Sequence, residues 1–562
     1  MENNEIIRLF ELTTKLFELY DENPFKIRSY TNAILALEKV SQLLDTLSVE
    51  QLTHIEGIGK SIADKIFLLN TEGTFPELQN LLAQTPEGII DILNIKGLGP
   101  KKVKILWKDL GIETTDALLQ ACEENKVATL KGFGEKTQEN IRQALLFQQA
   151  NTGKMHYADA ETSAAFLLKA FSDWNITAQL TGQMARKSDV VEKIQLVVAT
   201  DSPASVEQKL DQLPELEKSR DSGPFAWRGR LAASGLPVEI LSVKPTAFVS
   251  ITFVYSATPE HSAHITELGK TLFQVAVGNS YTDEKQIYEK AGLPYIIPEM
   301  REGLDEFTWM KTHAAEEIVE LKNLKGTLHN HSTYSDGKHT LEEMATYCQS
   351  MGYEYLGISD HSKSAFYANG LQEDRVARQQ TEIDVLNEKL APFRIFKGIE
   401  SDILNDGSLD YDQSVLKTFD FIVASIHSNL RMDEDKATQR LIKAIENPYT
   451  TILGHPTGRL LLRREGYPID HKKVIDACAA NGVIIEINAN PWRLDIDWHW
   501  VPYCMEKGVM ISINPDAHET AGLHDMAYGV HSARKGGLLT SMTFNALSLT
   551  DVEAYFQKRR SR

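Results

Sequence analysis

The residues best suited to chemistry in this chain close a series of short apolar runs. LKGTLHNHS, EYLGISDH, FRIFKGIES, FDFIVASIHS, TTILGHP, GVIIEINAN and VMISINPDAH together carry His329, His331, Asp360, His361, Glu400, His427, His455, Asp516 and His518. Imidazole nitrogens mixed with carboxylate oxygens suit zinc, manganese or iron. No cysteine closes any of these runs, which argues for a site with open positions over a structural zinc knot. His329 and His331 alternate along one strand and can face the same way, and Glu400 can bridge two ions. Two ions about 3.5–4 Å apart clamp a phosphate and activate water for in-line attack, so phosphoester hydrolysis is the expected chemistry. A single histidine is more often an ordinary core or surface residue. Here eleven of the sixteen lie from residue 329 onward and six of them end an apolar run, which marks the set as functional. His339, His471, His499, His524 and His531 lack that placement and are read as structural.

The elements that must position these side chains follow from the pattern. The runs are short and β-branched, and amphipathic stretches such as LEEMATYCQSM and HKKVIDACAANG separate several of them, as in parallel βα units closed into a barrel. The carboxyl ends of barrel strands converge on one face, so side chains distant in sequence share a site. Arg459 and Arg493 follow such segments and are candidates to grip a phosphate bidentately, with Lys363 a similar candidate.

LHNHSTYSDG, ISDHSKS, GIESDIL with DGSLDY, VASIHS, GHPTGRLLLRREGY, INANPWRLD and PDAHETAGLHDMAYGVHSARKGGL make residues 324–562 resemble the PHP (polymerase and histidinol phosphatase) domain, in the form fused to bacterial family X DNA polymerases. The resemblance implies a distorted (βα)7 barrel and three divalent ions, Mn2+, Zn2+ or Fe2+. The first would be held by His329, His331, Glu400 and Asp516, the second by Glu400, His427 and His455, and the third by Asp336, His361 and His518. Glu400, Asp516 and His331 form the implied catalytic core.

Composition sets the frame for the rest. At 562 residues and 42% hydrophobic the chain is long enough for several packed domains, and no apolar run is long enough to span a membrane. The acidic amphipathic opening MENNEIIRLFELTTKLFELYDENPF is unlike a secretion signal. Cys122, Cys348, Cys478 and Cys504 are too scattered for a disulfide framework. A reduced cytoplasmic protein, monomeric, is expected. A net charge of −19 weighs against a nucleic-acid partner. Three glycine-punctuated segments weigh for one: LTHIEGIGKSIADKI (52–66), LNIKGLGPKKVKIL (93–106) and LKGFGEKTQENI (130–141). Each sets Gly-x-Gly between helical stretches, so that the amides opening the second helix point at a phosphate oxygen, a grip indifferent to sequence. Gly57, Gly59 and Lys60, and Gly97, Gly99, Lys101 and Lys102, are the expected DNA contacts; the third copy is weaker.

These segments resemble helix-hairpin-helix motifs, and with NPFKIRSYTNAILALE they look like the N-terminal domain of family X polymerases. There Lys65 matches a lysine that can act as a Schiff-base nucleophile on abasic sugars, which needs a depressed pKa. The implied organisation is multidomain α+β and α/β. It comprises a helical lyase-like domain (1–82), a fingers-like helix-hairpin-helix domain (83–150), a nucleotidyltransferase-like palm (151–250), a thumb-like domain with connector (251–320) and the PHP barrel (321–562). KQIYEKAGLPYIIPEMREG fits the thumb, and EGLDEFTWMKTHAAEEIVELKN reads as a partly helical connector. The palm departs from the family. In TGQMARKSDVVEKIQLVVAT, Gln183 replaces the phosphate-binding serine and Lys193 and Gln195 stand at the two aspartate positions. Glu239 in LPVEIL takes the third, and Ala257 and Thr258 replace the thumb-side Gly-Ser. Lysine and glutamine supply no anionic oxygen to hold the two ions of nucleotidyl transfer.

The expected function is a metal-dependent DNA phosphoesterase, a 3′→5′ exonuclease or 3′-end cleaner with abasic-site cleavage as a further activity. It would act in DNA repair on gapped or 3′-recessed duplex, with polymerase activity lost. Three alternatives stand beside it: a polymerase using displaced carboxylates such as Glu192 and Glu239, a small-molecule phosphatase, and a non-catalytic DNA-binding scaffold.

Overall fold

A computed structural model describes every residue except Glu2, Lys39, Ser41, Lys96, Ser561 and Arg562; Lys96 of the second glycine segment thus lies outside the described residues. The chain divides into two compact units, Met1–Thr152 and Gly153–Arg562.

The first unit is helical. Its three glycine segments each open a helix: α1 (Lys60–Glu72), α2 (Pro100–Leu110) and α3 (Glu135–Asn151), with Gly59, Gly99 and Gly134 at the N-caps. None of these caps has a side chain bonded to the helix start, which leaves the first amides for an outside acceptor. Gly57, Gly97 and Gly132 turn the chain at φ of +90°, +93° and +85°, a region costly to any residue with a Cβ. The first two copies are true hairpins, entered from helices Val49–Thr53 and Glu87–Leu93. The third is entered from a single 3-10 turn, Val127–Thr129. One apolar cluster from Ile6 to Leu145 fills the unit, so the expected boundary near residue 82 separates two motifs that share a core.

The second unit begins with α4 (Tyr157–Asp173) and a five-stranded sheet of β1 (Ala178–Thr181), β2 (Ile194–Ala199), β3 (Leu216–Lys218), β4 (Ala226–Leu231) and β5 (Pro237–Val243), in the order β1-β2-β5-β4-β3. Only β2 and β5 run parallel. Along β5 burial alternates with period two, burying Val238 and Ile240 against Trp227 and Leu196 and leaving Glu239 on the other face. Next comes α5 (Phe248–Ser256), whose Phe253 packs with Tyr288 and Ile296 around the buried Arg301, itself paired to Glu284 at 2.9 Å. The connector is packed: buried Glu306 accepts from the amides of Gly303 and Leu304 and lies 2.8 Å from His261 Nδ1, and Ile318 bridges to Leu539.

The C-terminal part is a parallel seven-stranded sheet: β6 (Gly326–Thr327), β7 (Tyr355–Ile358), β8 (Arg394–Asp402), β9 (Phe421–Ser425), β10 (Ile452–Leu453), β11 (Ile484–Asn488) and β12 (Ile511–Asn514), paired in chain order. β7, β9, β11 and β12 are buried at every residue, which is why they read as unbroken apolar runs. Between and after them lie α6 (Leu341–Ser350), α7 (Glu373–Leu390), α8 (Glu434–Ile445), α9 (His471–Asn481) and α10 (Met526–Lys535). An Asn330–Ala517 bridge and a 2.8 Å bond from His331 N to Ala517 O join the segments that follow the first and last strands, nearly closing the barrel. The palm-like part is tied to it by buried Lys535, which reaches the carbonyl of Arg186 at 3.2 Å and the carboxylate of Glu302.

Candidate metal centre

The barrel mouth gathers all nine of the expected ligands. Four groups, His331/Asp336/His361/His518, His329/Glu400/His455, His329/His331/Asp516 and His361/Glu400/His427, each bring their ligand atoms within 4.8 Å of one another. Glu400, at the end region of the long β8, is the hub. Its Oε1 lies 2.9 Å from His455 Nε2, 3.1 Å from His427 Nε2 and 3.3 Å from His329 Nε2, and its Oε2 lies 2.9 Å from His361 Nδ1. Asp516 Oδ1 sits 3.0 Å from His331 Nε2, and Asp336 Oδ1 sits 3.3 Å from His518 Nε2. Asp516 has a φ of +54° and His455 one of +21°. Such backbone strain in ordinary side-chain-bearing residues gathers at functional sites.

The surrounding side chains fix each imidazole. Glu486, fully buried on β11, accepts from His329 Nδ1 at 2.7 Å, from the amide of His455 at 2.8 Å and from Asn514 Nδ2 at 3.0 Å. Asp402 lies 2.5 Å from His427 Nδ1. Both leave Nε2 turned to the centre, the arrangement that orients metal-binding histidines. Asn488 Nδ2 donates to Asp516 Oδ2 at 3.0 Å. Glu486 and Asp402 were missed in the sequence. Asp402 had a signal, since it stands two residues after Glu400 and shares its strand face.

Electrostatics reflect the crowding. Burial and the imidazoles of His518 and His361 push His331 down to about 3, so it offers a lone pair. Against the opposing effect of burial, Glu400 and Asp402 push His427 up to about 10. Burial likewise opposes ionisation of Glu400, but His427, His329 and His361 hold it well below the usual carboxylate range. His329 Nε2, His331 Nδ1 and Glu400 Oε2 are buried and, close as the first and last lie to charged neighbours, make no well-directed hydrogen bond among the described residues. Unsatisfied polar atoms converging among nitrogen and oxygen donors are what divalent ions would complete.

Three expectations change. Asp360 does not face the centre: its carboxylate accepts from the amide and hydroxyl of Ser332 at 2.8 and 2.7 Å and from Gln379, and so shapes the loop that carries Asp336. Arg459 is not a free phosphate clamp, because its guanidinium is spent on Asp189, Asp497 and the carbonyls of Arg493 and Leu494. Lys363 pairs with Glu373 at 2.8 Å. Arg493 is half-buried beside the centre, with its Nη1 buried 3.9 Å from Asp516 Oδ2 and without a hydrogen-bond partner among the described residues.

In the palm-like sheet, Gln195 and Glu239 are in register on the parallel strands β2 and β5, and Arg228 stands opposite Glu239 on β4. Glu239 accepts from Gln195 at 2.8 Å, from Arg228 at 3.0 Å and from Lys193 at 3.4 Å. Partial burial opposes its ionisation, yet these partners hold it below the ordinary carboxylate range. Glu192 lies apart, paired with Lys154, and the side chain of Gln183 accepts the amide of Glu192 at 2.7 Å. Thr258 caps the short helix Pro259–Ser262, which Ala257 precedes.

In the helical unit Lys60 and Lys101 are exposed beside their glycine turns, and Lys102 lies over the Phe133 ring at 5.5 Å. Lys65 Nζ donates to Ser61 Oγ at 2.7 Å and pairs with Glu77 at 3.1 Å.

Comparison with known proteins finds three matching domain families along the chain. Residues 1–75 match a helix-hairpin-helix domain, 89–145 a SAM-like helix-hairpin-helix tandem, and 327–490 the PHP domain. The chain is 36% identical over 573 residues to the DNA polymerase/3′-5′ exonuclease PolX of Bacillus subtilis, covering 99% of this chain and 100% of that one. Probable phosphatases of Thermoanaerobacter sp. and Caldanaerobacter subterraneus are 27% and 28% identical over 38% and 32% of this chain, and 94% and 72% of theirs.

Proposed function

Because the chain belongs to the family of the DNA polymerase/3′-5′ exonuclease PolX, we propose that it is a metal-dependent DNA phosphoesterase, a 3′→5′ exonuclease acting in DNA repair in the cytoplasm, whose polymerase-like body no longer polymerises. The observation that carries this reading is the contrast between two sites: nine ligand-competent side chains converge at the barrel mouth, whereas of positions 193, 195 and 239 in the palm-like part only 239 carries a carboxylate, and its neighbours neutralise it. His329, His331, Glu400 and Asp516 would hold a first ion, Glu400, His427 and His455 a second, and Asp336, His361 and His518 a third. Divalent ions there supply Lewis-acid polarisation of a phosphate and a water nucleophile of lowered pKa. The chain's own residues do the rest. Glu486 and Asp402 orient the imidazoles, Arg493 offers an unspent N–H to a non-bridging phosphate oxygen, and the amides opening α1 and α2 hold the backbone of a gapped or 3′-recessed duplex. The likeness to probable phosphatases, together with the PHP match over 327–490, supports hydrolytic chemistry in the barrel; the helix-hairpin-helix segments favour DNA as the substrate. With Lys65 already paired to Glu77, lyase action is not included.

The test is a 5′-labelled primer on a longer template, incubated with Mn2+ with and without the four deoxynucleoside triphosphates. Shortening in both lanes is expected. Extension confined to the triphosphate lane would make the protein a polymerase and overturn the reading of Lys193, Gln195 and Glu239.

A further inference from the structure

Arg493 lies on the segment INANPWRLD after β11, where a guanidinium with an unspent donor overlooks Asp516. The segment does not hold that shape alone. Leu494 sits at φ +47°, a left-handed conformation that a side-chain-bearing residue keeps only when its surroundings impose it. Two sets of bonds do so. Asp495 Oδ2 accepts the amides of Thr457 and Gly458, each at 2.9 Å. Arg459 donates from Nε to the carbonyl of Arg493 at 2.9 Å and from Nη2 to that of Leu494. Arg459 thus grips the backbone that presents Arg493.

A guanidinium so enclosed needs anionic partners, and it has two. Asp497 belongs to the same barrel. Asp189, 3.0 Å from Nη2 through its Oδ2, comes from the palm-like part. Asp189 is itself held. Its carbonyl accepts the amide of Tyr157 at 3.1 Å, Val190–Val191 pairs with Met155–His156, and His156 Nε2 lies 3.0 Å from the carbonyl of Leu461 in the barrel loop.

We propose that Asp189 is a positioning residue for phosphate recognition in the barrel: through Arg459 it holds the segment that presents Arg493, so the polymerase-like body contributes a side chain to the hydrolytic site. This rests on the phosphoesterase reading given above. It supplies a reason for a palm without catalytic carboxylates to persist, since the barrel's arginine segment is shaped against it.

A kinetic double-mutant cycle on the full-length, Mn2+-loaded protein separates positioning from a merely structural tie. Asp189→Ala should raise KM for the labelled DNA about tenfold, some 1.4 kcal/mol, with bound Mn2+ unchanged, and Asp189→Asn, which keeps an acceptor for Nη2, should recover most of the loss. In an Arg493→Ala background, Asp189→Ala should add nothing. Kinetics of Asp189→Ala equal to wild type, effects of the two substitutions that multiply, or a loss that merely follows lost metal would each overturn the proposal. If Asp189→Ala does not fold, Asp189→Ser, which stays polar but brings no carboxylate to Arg459 Nη2, paired with Arg493→Ala runs the same cycle with the same outcomes. An inert wild type defeats the phosphoesterase reading and this one with it, whereas an active wild type with an indifferent Asp189 defeats this one alone.

Discussion

Glu486 is the most demanding test of the barrel centre because it touches the proposed ions only through other residues. It is fully buried and accepts three hydrogen bonds, from His329 Nδ1, the amide of His455 and Asn514 Nδ2. Glu486→Ala orphans all three donors, and at about 1–3 kcal/mol each the loss of stability is on the order of 3 kcal/mol or more, enough to endanger folding. Glu486→Gln is the better perturbation. It keeps the volume but sets an NH2 group against at least one donor, for about 1–3 kcal/mol. It also removes the charge that fixes the His329 tautomer. Losing such an outer partner weakens metal binding roughly 10–100-fold. The assay is competition for Mn2+ against a chromophoric chelator, run beside the Mn2+ dependence of DNA hydrolysis. Half-saturation should move to 10–100-fold higher free Mn2+ with the saturated rate near wild type. Unchanged half-saturation in a folded Glu486→Gln protein would mean that His329 is not a ligand, and the assignment of the first ion would fail.

Asp516→Ala, which removes a proposed ligand outright, should cost hydrolysis more than the roughly 100-fold expected for an outer partner while DNA affinity by fluorescence anisotropy stays put; retained cleavage would place the chemistry elsewhere. Gly97→Ala forces a Cβ onto φ +93°, for about 1–2 kcal/mol, and should weaken DNA binding while leaving hydrolysis of a small aryl phosphodiester untouched, a separation visible by running both assays on one sample. Replacing Lys60, Lys101 and Lys102 together with alanine should make DNA binding less steeply dependent on salt, the slope falling by up to about 0.9 for each phosphate that these lysines neutralise; an unaltered slope would remove them from the interface. Glu239→Ala should leave exonuclease kinetics at wild-type level and lower the melting temperature modestly, since it strands Arg228, Lys193 and Gln195.

What could be read from sequence and what could not divides along physical lines. Parallel barrel strands are buried on both faces, so β7, β9, β11 and β12 announce themselves as apolar runs, and the polar residues that end them stand out. That made the nine side chains that cluster at the barrel mouth legible from the chain alone. Glu486 stayed hidden because a carboxylate inside IIEIN differs from a surface-facing strand residue only through its three partners, which come from residues 329, 455 and 514. Arg459 misled for the same reason: next to GHPTG it reads as a phosphate clamp, and of the two aspartates that engage it one lies 38 positions later and the other 270 earlier. In the helical unit, glycine spacing disclosed each turn, yet it could not say that both halves share one core.

The palm-like sheet shows why its substitutions hold together as a set. A nucleotidyl-transfer site leaves carboxylates mutually repelling until cations arrive, so such a site depends on metal for its charge balance. Here the balance is internal. Glu239 faces Arg228 and Lys193 as ion pairs at 3.0 and 3.4 Å and receives the amide of Gln195, so a cation brought to this face would compete with two resident ones. Placing one aspartate at position 193 or 195 would therefore not create a metal site, because Arg228 would still neutralise the pair. The triple change Lys193→Asp, Gln195→Asp and Arg228→Ala removes both resident cations and supplies three carboxylates. It should gain Mn2+ affinity measurable by calorimetry in an Asp516→Ala background that weakens the barrel's own uptake. If Lys193→Asp alone bound Mn2+ as tightly as the triple variant, Arg228 would not be the neutralising partner and the charge argument would fall.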